Sequence, residues 1–192
     1  MAINLVDQAA SYGAYHNNNV NKFIHIVFVP LIVYTILIFL NYASIPVLLE
    51  PYLNILHQIH PYYLPLSIST PVAIALALFY CFLDIRVGGA ATFWLLFANV
   101  YAQKAIITFG PQTLQYAIIL HIFSWITQFV GHGVFEGRRP ALIDNIFQVF
   151  IAPFFVTLEV LFLVGLLKSE RTKVEHKIHK NIEQLNKLQK TK

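Results

Sequence analysis

Residues 113–135 read TLQYAIILHIFSWITQFVGHGVF, an almost uninterrupted apolar stretch that is long enough to cross a lipid bilayer. A helix needs about 20 apolar residues to span the hydrocarbon layer. His121 lies inside this stretch, and His132 lies near its end. An imidazole in hydrocarbon is costly unless something binds it, so the stretch predicts a transmembrane helix with a functional role.

The whole chain has the composition of an integral membrane protein. Of its 192 residues, 57% are hydrophobic and 11% are charged, and the mean hydropathy is +0.62. A soluble domain of this size does not need so much apolar surface. Cys81 is the only cysteine, which excludes a disulfide within the chain. We therefore expect an all-α, multi-span integral membrane helical bundle.

Five apolar segments are candidates for crossing the membrane. We expect four crossings plus a re-entrant or interfacial fifth segment, because Pro153 removes a backbone donor and is expected to break the last helix. The predicted segments are residues 23–42, 62–83, 90–109, 113–135 and 146–167.

Positive charges predict which connections face the cytosol. Lys22, Arg86 and the pair Arg138 and Arg139 fall on alternate connections, whereas residues 43–61 contain neither Lys nor Arg. Lys and Arg close to the membrane favour the cytosolic side. We therefore expect both termini to be cytosolic.

The eight histidines of the chain fall into two groups according to their position in the sequence. Structural or solvated roles are expected for two pairs: His57 and His60 in a predicted lumenal loop, and His176 and His179 near the C-terminus. The other four lie close to or inside apolar segments: His16, His25, His121 and His132.

A row of polar side chains, here called the polar seam, lies along one face of the apolar helix predicted at 113–135. His121, Gln128 and His132 share one helical face, and Glu136 follows four residues later. Imidazole and carboxylate groups are ligands of first-row transition metals. The seam therefore predicts a metal site, and the alternative is a set of core histidines satisfied by hydrogen bonds.

The helical rise limits which histidines can share an ion. Eleven residues of straight helix span about 16 Å, so His121 and His132 cannot bind one metal unless the helix breaks. Gly131 and Gly133 would permit a sharp bend. Three alternatives remain: the chain folds back at 129–135, there are two ions, or one histidine lies outside the coordination sphere. The trio with consistent depths is His16, His25 and His132.

The connection that follows this helix contains Arg138 and Arg139. Their guanidinium groups can bind the carboxylate of a lipid acid in fork geometry while the acyl chain lies among the helices. The competing interpretation is that both arginines are topology signals that contact lipid phosphate.

Three segments together resemble a small family of membrane proteins, the iron-dependent 2-hydroxy fatty acid dioxygenases: YHNNNVNKFIHIVFVP (15–30), QFVGHGVFEGRRPALIDN (128–145) and APFFVTLEVLF (152–162). The resemblance implies residence in the endoplasmic reticulum and an Fe(II)- and O₂-dependent reaction that shortens a 2-hydroxy fatty acid by one carbon. In fungi the reaction serves phytosphingosine breakdown. The resemblance also implies the residues of the catalytic centre: iron ligands His16, His25, His121 and His132, with Glu136 as a matching acid.

This chemistry agrees with the residues themselves. Fe(II) held by imidazoles, with open coordination positions, can bind both oxygens of a 2-hydroxy carboxylate and then activate O₂. No Gly-rich dinucleotide fingerprint occurs, as expected if the substrate supplies the electrons. Membrane lipids are the remaining expected partners, and no nucleic acid is expected.

Two other functions compete with this interpretation. A di-iron hydroxylase or desaturase needs several clustered histidine boxes, and only HQIH at 57–60 comes close. The alternative from another class is a non-catalytic membrane scaffold or lipid-binding protein, in which histidines stabilise helix contacts by hydrogen bonding.

Two parts are expected along the chain. Residues 1–168 are predicted to form the membrane-embedded catalytic domain, and residues 169–192 a basic amphipathic C-terminal helix in the cytosol. Val174, Ile178 and Ile182 form a narrow apolar stripe on this tail, with charged residues between them. The expected behaviour is a solvated helix that lies on anionic lipid or packs on itself.

Overall fold

The computed structural model of the chain describes residues 5–61, 64–137 and 147–190. All regular structure within these ranges is helical, which confirms the all-α prediction. The elements are α1 (Leu5–Tyr15), α2 (Asn19–Asn41), α3 (Glu50–Ile59), α4 (Ser69–Leu83), α5 (Ile85–Phe109), α6 (Gln112–Val130), a π-helical turn (Gly131–Glu136), α7 (Gln148–Leu163) and α8 (Lys168–Lys190).

Three of these helices are long and apolar enough to cross a membrane: Asn19–Asn41, Ile85–Phe109 and Gln112–Glu136. α7 and α8 would make a fourth candidate span if the two helices are counted as a single span, although the angle between them is 117°. α4 is apolar but has only 15 residues, short of the roughly 20 that a full crossing needs. The chain is therefore a helical membrane protein with three to four candidate spans, and the exact number of crossings stays a prediction.

The last apolar segment does not break where the sequence suggested. Pro153 lies inside α7, which continues to Leu163, and the Thr157 hydroxyl donates to the Pro153 carbonyl at 2.8 Å. The chain turns afterwards, where Gly165 and Leu167 have positive φ angles of 81° and 52°. The predicted break at Pro153 was wrong, because a proline removes one backbone hydrogen bond whereas left-handed residues redirect the whole chain.

Residues 30–125 form one compact unit. Within it, α4 and α5 pack as a hairpin whose corner is Asp84. The Asp84 carboxylate accepts hydrogen bonds from the backbone N–H groups of Arg86 at 2.9 Å and Val87 at 3.2 Å. This side chain caps α5 and explains why the helix begins before the predicted position 90.

Residues 1–29 and 126–192 form the other compact unit. Here α8 packs against α1: Val174 and Ile178 are buried, and Lys177 forms an ion pair with Asp7. Gly13 lies directly against Ile178, so a Cβ at this position would require the Ile178 side chain to shift. The amphipathic tail therefore covers the N-terminal helix. The predicted domain boundary at residue 168 stays a prediction.

Candidate metal centre

Three of the four singled-out histidines meet in the unit formed by residues 1–29 and 126–192. His16 follows α1, His25 lies in the second turn of α2, and His132 lies in the π-helical turn. Their ring centroids are 4.4, 4.7 and 4.8 Å apart, and their side chains are 5%, 4% and 3% exposed. One nitrogen from each ring lies within 4.8 Å of the others, so these residues, the histidine triad, could hold a single metal ion.

Backbone carbonyls orient two of the three rings. His16 Nδ1 lies 3.0 Å from the Tyr12 carbonyl, and His25 Nδ1 lies 2.9 Å from the Asn21 carbonyl. A carbonyl can only accept, so each Nδ1 carries its proton and each Nε2 keeps a lone pair for a metal. Such bonds are the usual support of metal-binding imidazoles.

The third ring has a nitrogen that nothing satisfies. His132 Nδ1 is buried and has no hydrogen-bond partner among the described residues. An unpaired buried nitrogen beside two free imidazole lone pairs is the arrangement that a transition-metal ion would complete. The donor set therefore fits Fe(II) or another first-row divalent ion.

The π-helical turn explains how His132 reaches the triad without the helix folding back. The helix at 112–130 continues through residues 131–136, which removes the fold-back alternative. Gly131 lies so close to α2 that a Cβ there would be 2.5 Å from Asn21 Oδ1. Single π turns in α-helices often occur at functional sites, because the extra residue shifts the side chains that follow.

The Glu136 side chain binds polar groups at the N-terminus of α2. Its carboxylate accepts from the backbone N–H of Asn17 at 3.1 Å and of Asn18 at 2.9 Å, and from the Asn21 amide at 3.2 Å. Negative charge is stabilised at a helix N-terminus. Among the described residues, Glu136 therefore fixes the loop between His16 and His25, and it is not one of the grouped metal-ligating side chains.

Burial and the neighbouring groups keep the imidazole of His16 in its neutral form. Burial holds the pKa of His16 well below its ordinary value, and the neighbouring imidazoles of His25 and His132 lower this pKa further. The ring is consequently neutral near pH 7. A neutral imidazole can bind a metal without first losing a proton.

His121 has a different environment, in the unit of residues 30–125. The Trp125 indole donates to His121 Nε2 at 3.0 Å, so Nδ1 carries the ring proton and donates to Thr35 Oγ1 at 2.7 Å. Thr35 in turn donates to the Ile32 carbonyl at 2.8 Å. Both ring nitrogens of His121 are therefore engaged, and the structure does not group this residue with the triad.

The predicted substrate-binding residues Arg138 and Arg139 lie outside the described residues. The structure does place a cation in the same unit as the triad, since Lys22 Nζ lies 3.5 Å from Glu159 Oε1. The charge of Lys22 contributes to the lowered pKa of His16.

Sequence reasoning missed Tyr12. Its ring stacks on His16, with centroids 3.9 Å apart and planes 11° from parallel, and it also stacks on Phe155 with centroids 4.8 Å apart. The available signal was spacing, because Tyr12 precedes His16 by four residues and so lies beside it on a helical face.

Comparison with known proteins identifies the family of this chain. The family described as "2-hydroxy-palmitic acid dioxygenase Mpo1-like" matches residues 3–164. The 2-hydroxy-palmitic acid dioxygenase MPO1 of Saccharomyces cerevisiae is 33% identical over 177 residues, which cover 91% of this chain and 89% of the yeast protein. No solved structure matches. The matched family segment contains the whole histidine triad, and on these comparisons the chain belongs to the Mpo1-like family.

Proposed function

We propose that this protein is an Fe(II)-dependent dioxygenase of the endoplasmic reticulum membrane that shortens 2-hydroxy fatty acids by one carbon. The observation that carries the proposal is the buried triad of His16, His25 and His132 in a chain of the Mpo1-like family. The name of the yeast relative supports a 2-hydroxy fatty acid as substrate.

The triad residues would hold the ion through three neutral nitrogens, with Nε2 the free nitrogen of His16 and His25. Fe(II) held by these three residues would supply the chemistry of the site, which is binding of a 2-hydroxy carboxylate and activation of O₂. Glu136 would keep the loop between His16 and His25 in place. His121 would stabilise helix packing, because both of its ring nitrogens are engaged in hydrogen bonds. Arg138 and Arg139 remain proposed contacts of the substrate carboxylate.

The proposed reaction balances without a separate electron donor. RCH(OH)COOH and O₂ give RCOOH, CO₂ and H₂O when the substrate supplies all electrons that reduce O₂. This balance predicts that one O₂ is consumed per acid shortened.

Location and orientation belong to the same proposal. The apolar helices support a membrane site, and the distribution of Lys and Arg supports cytosolic termini. A metal near the membrane boundary would let the polar head group reach the triad while the acyl chain stays in lipid.

The experiment combines metal analysis with product analysis. Protein purified in detergent is loaded anaerobically with Fe(II), given 2-hydroxypalmitate and O₂, and assayed for the acid one carbon shorter. His25→Ala and His132→Ala should abolish stoichiometric iron and product. His57→Ala is the matched control, because His57 bonds the Leu64 carbonyl in the unit of residues 30–125.

Absence of bound iron and of product in the wild type would contradict the proposal. If lipid binding persisted in that protein, the non-catalytic scaffold would become the better interpretation.

A further inference from the structure

Several buried polar atoms without a hydrogen-bond partner belong to triad residues or to residues that precede them by four positions. Buried polar groups are almost always hydrogen-bonded, so each exception needs an explanation such as a ligand. Among the described residues, the buried side-chain nitrogen and oxygen atoms without a partner are Tyr12 Oη, Asn21 Oδ1, Asn99 Oδ1, Gln128 Nε2, His132 Nδ1 and Gln148 Oε1. Of these six, four belong to a triad histidine or to the residue four positions before one.

The spacing places each of these residues next to its histidine. Side chains four residues apart lie on the same face of a helix. Asn21 therefore neighbours His25, and Gln128 neighbours His132. For the third pair, the stacked rings of Tyr12 and His16 show the contact directly.

The unpaired atoms have complementary chemistry. The Gln128 amide nitrogen can only donate hydrogen bonds, and the phenol of Tyr12 is a donor at neutral pH. Asn21 Oδ1 is an amide oxygen and can only accept, and the amide nitrogen of the same side chain donates to Glu136. A 2-hydroxy carboxylate presents the matching set, which is an anionic group that accepts and one hydroxyl that donates.

We propose that Tyr12 and Gln128 bind the carboxylate of the 2-hydroxy fatty acid at the triad by donating one hydrogen bond each. The inference rests on the proposed function and adds two substrate-binding residues to it. Asn21 Oδ1 is the acceptor available to the 2-hydroxyl group.

A purely structural role does not explain these two side chains. Tyr12 and Gln128 are 5% and 7% exposed. Folding removes their donor groups from water without giving them a hydrogen-bond partner, which costs free energy. Phenylalanine or methionine would pack in the same volume without that cost. The polar atoms are satisfied once an oxygen-rich ligand is bound.

Anaerobic ligand binding to the iron-loaded protein tests the proposal without turnover. Tyr12→Phe and Gln128→Met should each weaken the Kd for 2-hydroxypalmitate by about tenfold to a hundredfold, the loss typical of one hydrogen bond to a charged group. Iron content should stay at the wild-type value. The methyl ester of the same acid lacks the charge, so both variants and the wild type should bind it with similar affinity.

Gln103→Met is the matched control. Gln103 is half-buried on α5 in the unit of residues 30–125, and the same chemical change there should leave the Kd unchanged. Thermal unfolding without ligand supplies a second readout. Tyr12→Phe and Gln128→Met should keep or raise the Tm, because they remove an unpaired buried group, whereas loss of a structural hydrogen bond would lower it.

The outcomes separate this inference from the function on which it rests. Wild-type protein that binds and shortens the acid, with both variants binding it equally well, would overturn the carboxylate contacts alone. Weaker binding that comes with loss of iron or a lowered Tm would also overturn them. Wild-type protein that neither binds nor shortens the acid would overturn both proposals.

Discussion

The two glycines that flank His132 give a sharp test of how the π-helical turn builds the triad. Gly131 is buried, and a Cβ at this position would lie 2.5 Å from Asn21 Oδ1 and 3.3 Å from Ile24 Cδ1. A Cβ at Gly133 would meet nothing within 4 Å. Neither residue has the positive φ angle that restricts a position to glycine.

The expected changes in the free energy of unfolding therefore differ between the two positions. Replacing glycine by alanine inside a helix is favourable by about 1 kcal/mol at either position. At Gly131 the added methyl group forces side chains apart, and such overpacking costs about 1–3 kcal/mol. Gly131→Ala should consequently be less stable than Gly133→Ala by about 1–3 kcal/mol.

Metal affinity should show the same contrast. Asn21 accepts the His25 hydrogen bond through its backbone carbonyl and donates to Glu136 through its side-chain amide. Displacing the Asn21 side chain therefore disturbs the contact with Glu136 beside the triad. Loss of such supporting contacts weakens metal binding by about tenfold to a hundredfold. The assay is a chelator competition with anaerobic Fe(II), together with thermal unfolding of the metal-free protein. Equal stability and equal affinity of the two alanine variants would refute the proposed close packing of Gly131.

Three further predictions concern other elements. His121→Asn should lower the Tm because it removes the bonds to Thr35 and Trp125, but the iron stoichiometry measured by elemental analysis should stay unchanged; loss of iron would place His121 in the coordination sphere. Ile178→Ala should destabilise the packing of α8 by about 2–4 kcal/mol in denaturant unfolding, and an unchanged midpoint would refute that packing. Burial alone would raise the pKa of Asp84, but hydrogen bonds from Arg86 and Val87 outweigh it and lower this pKa. Asp84 therefore stabilises the folded state above its unfolded pKa and loses this effect as the pH falls through the lower folded value. Asp84→Asn should be less stable than wild type at pH 7, and unfolding curves at falling pH should show the difference shrink.

Periodicity and composition were sufficient for much of the fold. The apolar stretches predicted α2, α5 and α6 because a bilayer demands long apolar helices. The turn after α7 has left-handed residues at Gly165 and Leu167. Gly165 was an available sequence signal, because glycine often ends a helix in this conformation, whereas leucine gives no signal for it. The helix α3 was missed because its residues 50–59 carry polar groups and a proline that also suit a loop.

The candidate site, like the fold, could be predicted from the sequence only in part. The depth argument selected His16, His25 and His132 correctly as the residues that meet, because helical rise excludes His121 from their neighbourhood. Spacing could not show that Glu136 faces the start of α2, since that contact joins residues 115 to 119 positions apart in the chain. The stack of Tyr12 on His16 also depends on the path of the chain between α1 and α2, which periodicity does not specify.

We propose that three imidazoles from separate segments of the chain hold one redox-active ion. X-ray absorption at the iron edge of anaerobically loaded protein tests this proposal. The expected spectrum has about three imidazole nitrogens per iron, with one iron per chain, and the imidazole contribution falls in His16→Ala, His25→Ala and His132→Ala but not in His121→Asn. A spectrum without imidazole scattering, or one that is unchanged by loss of the triad residues, would contradict the claim.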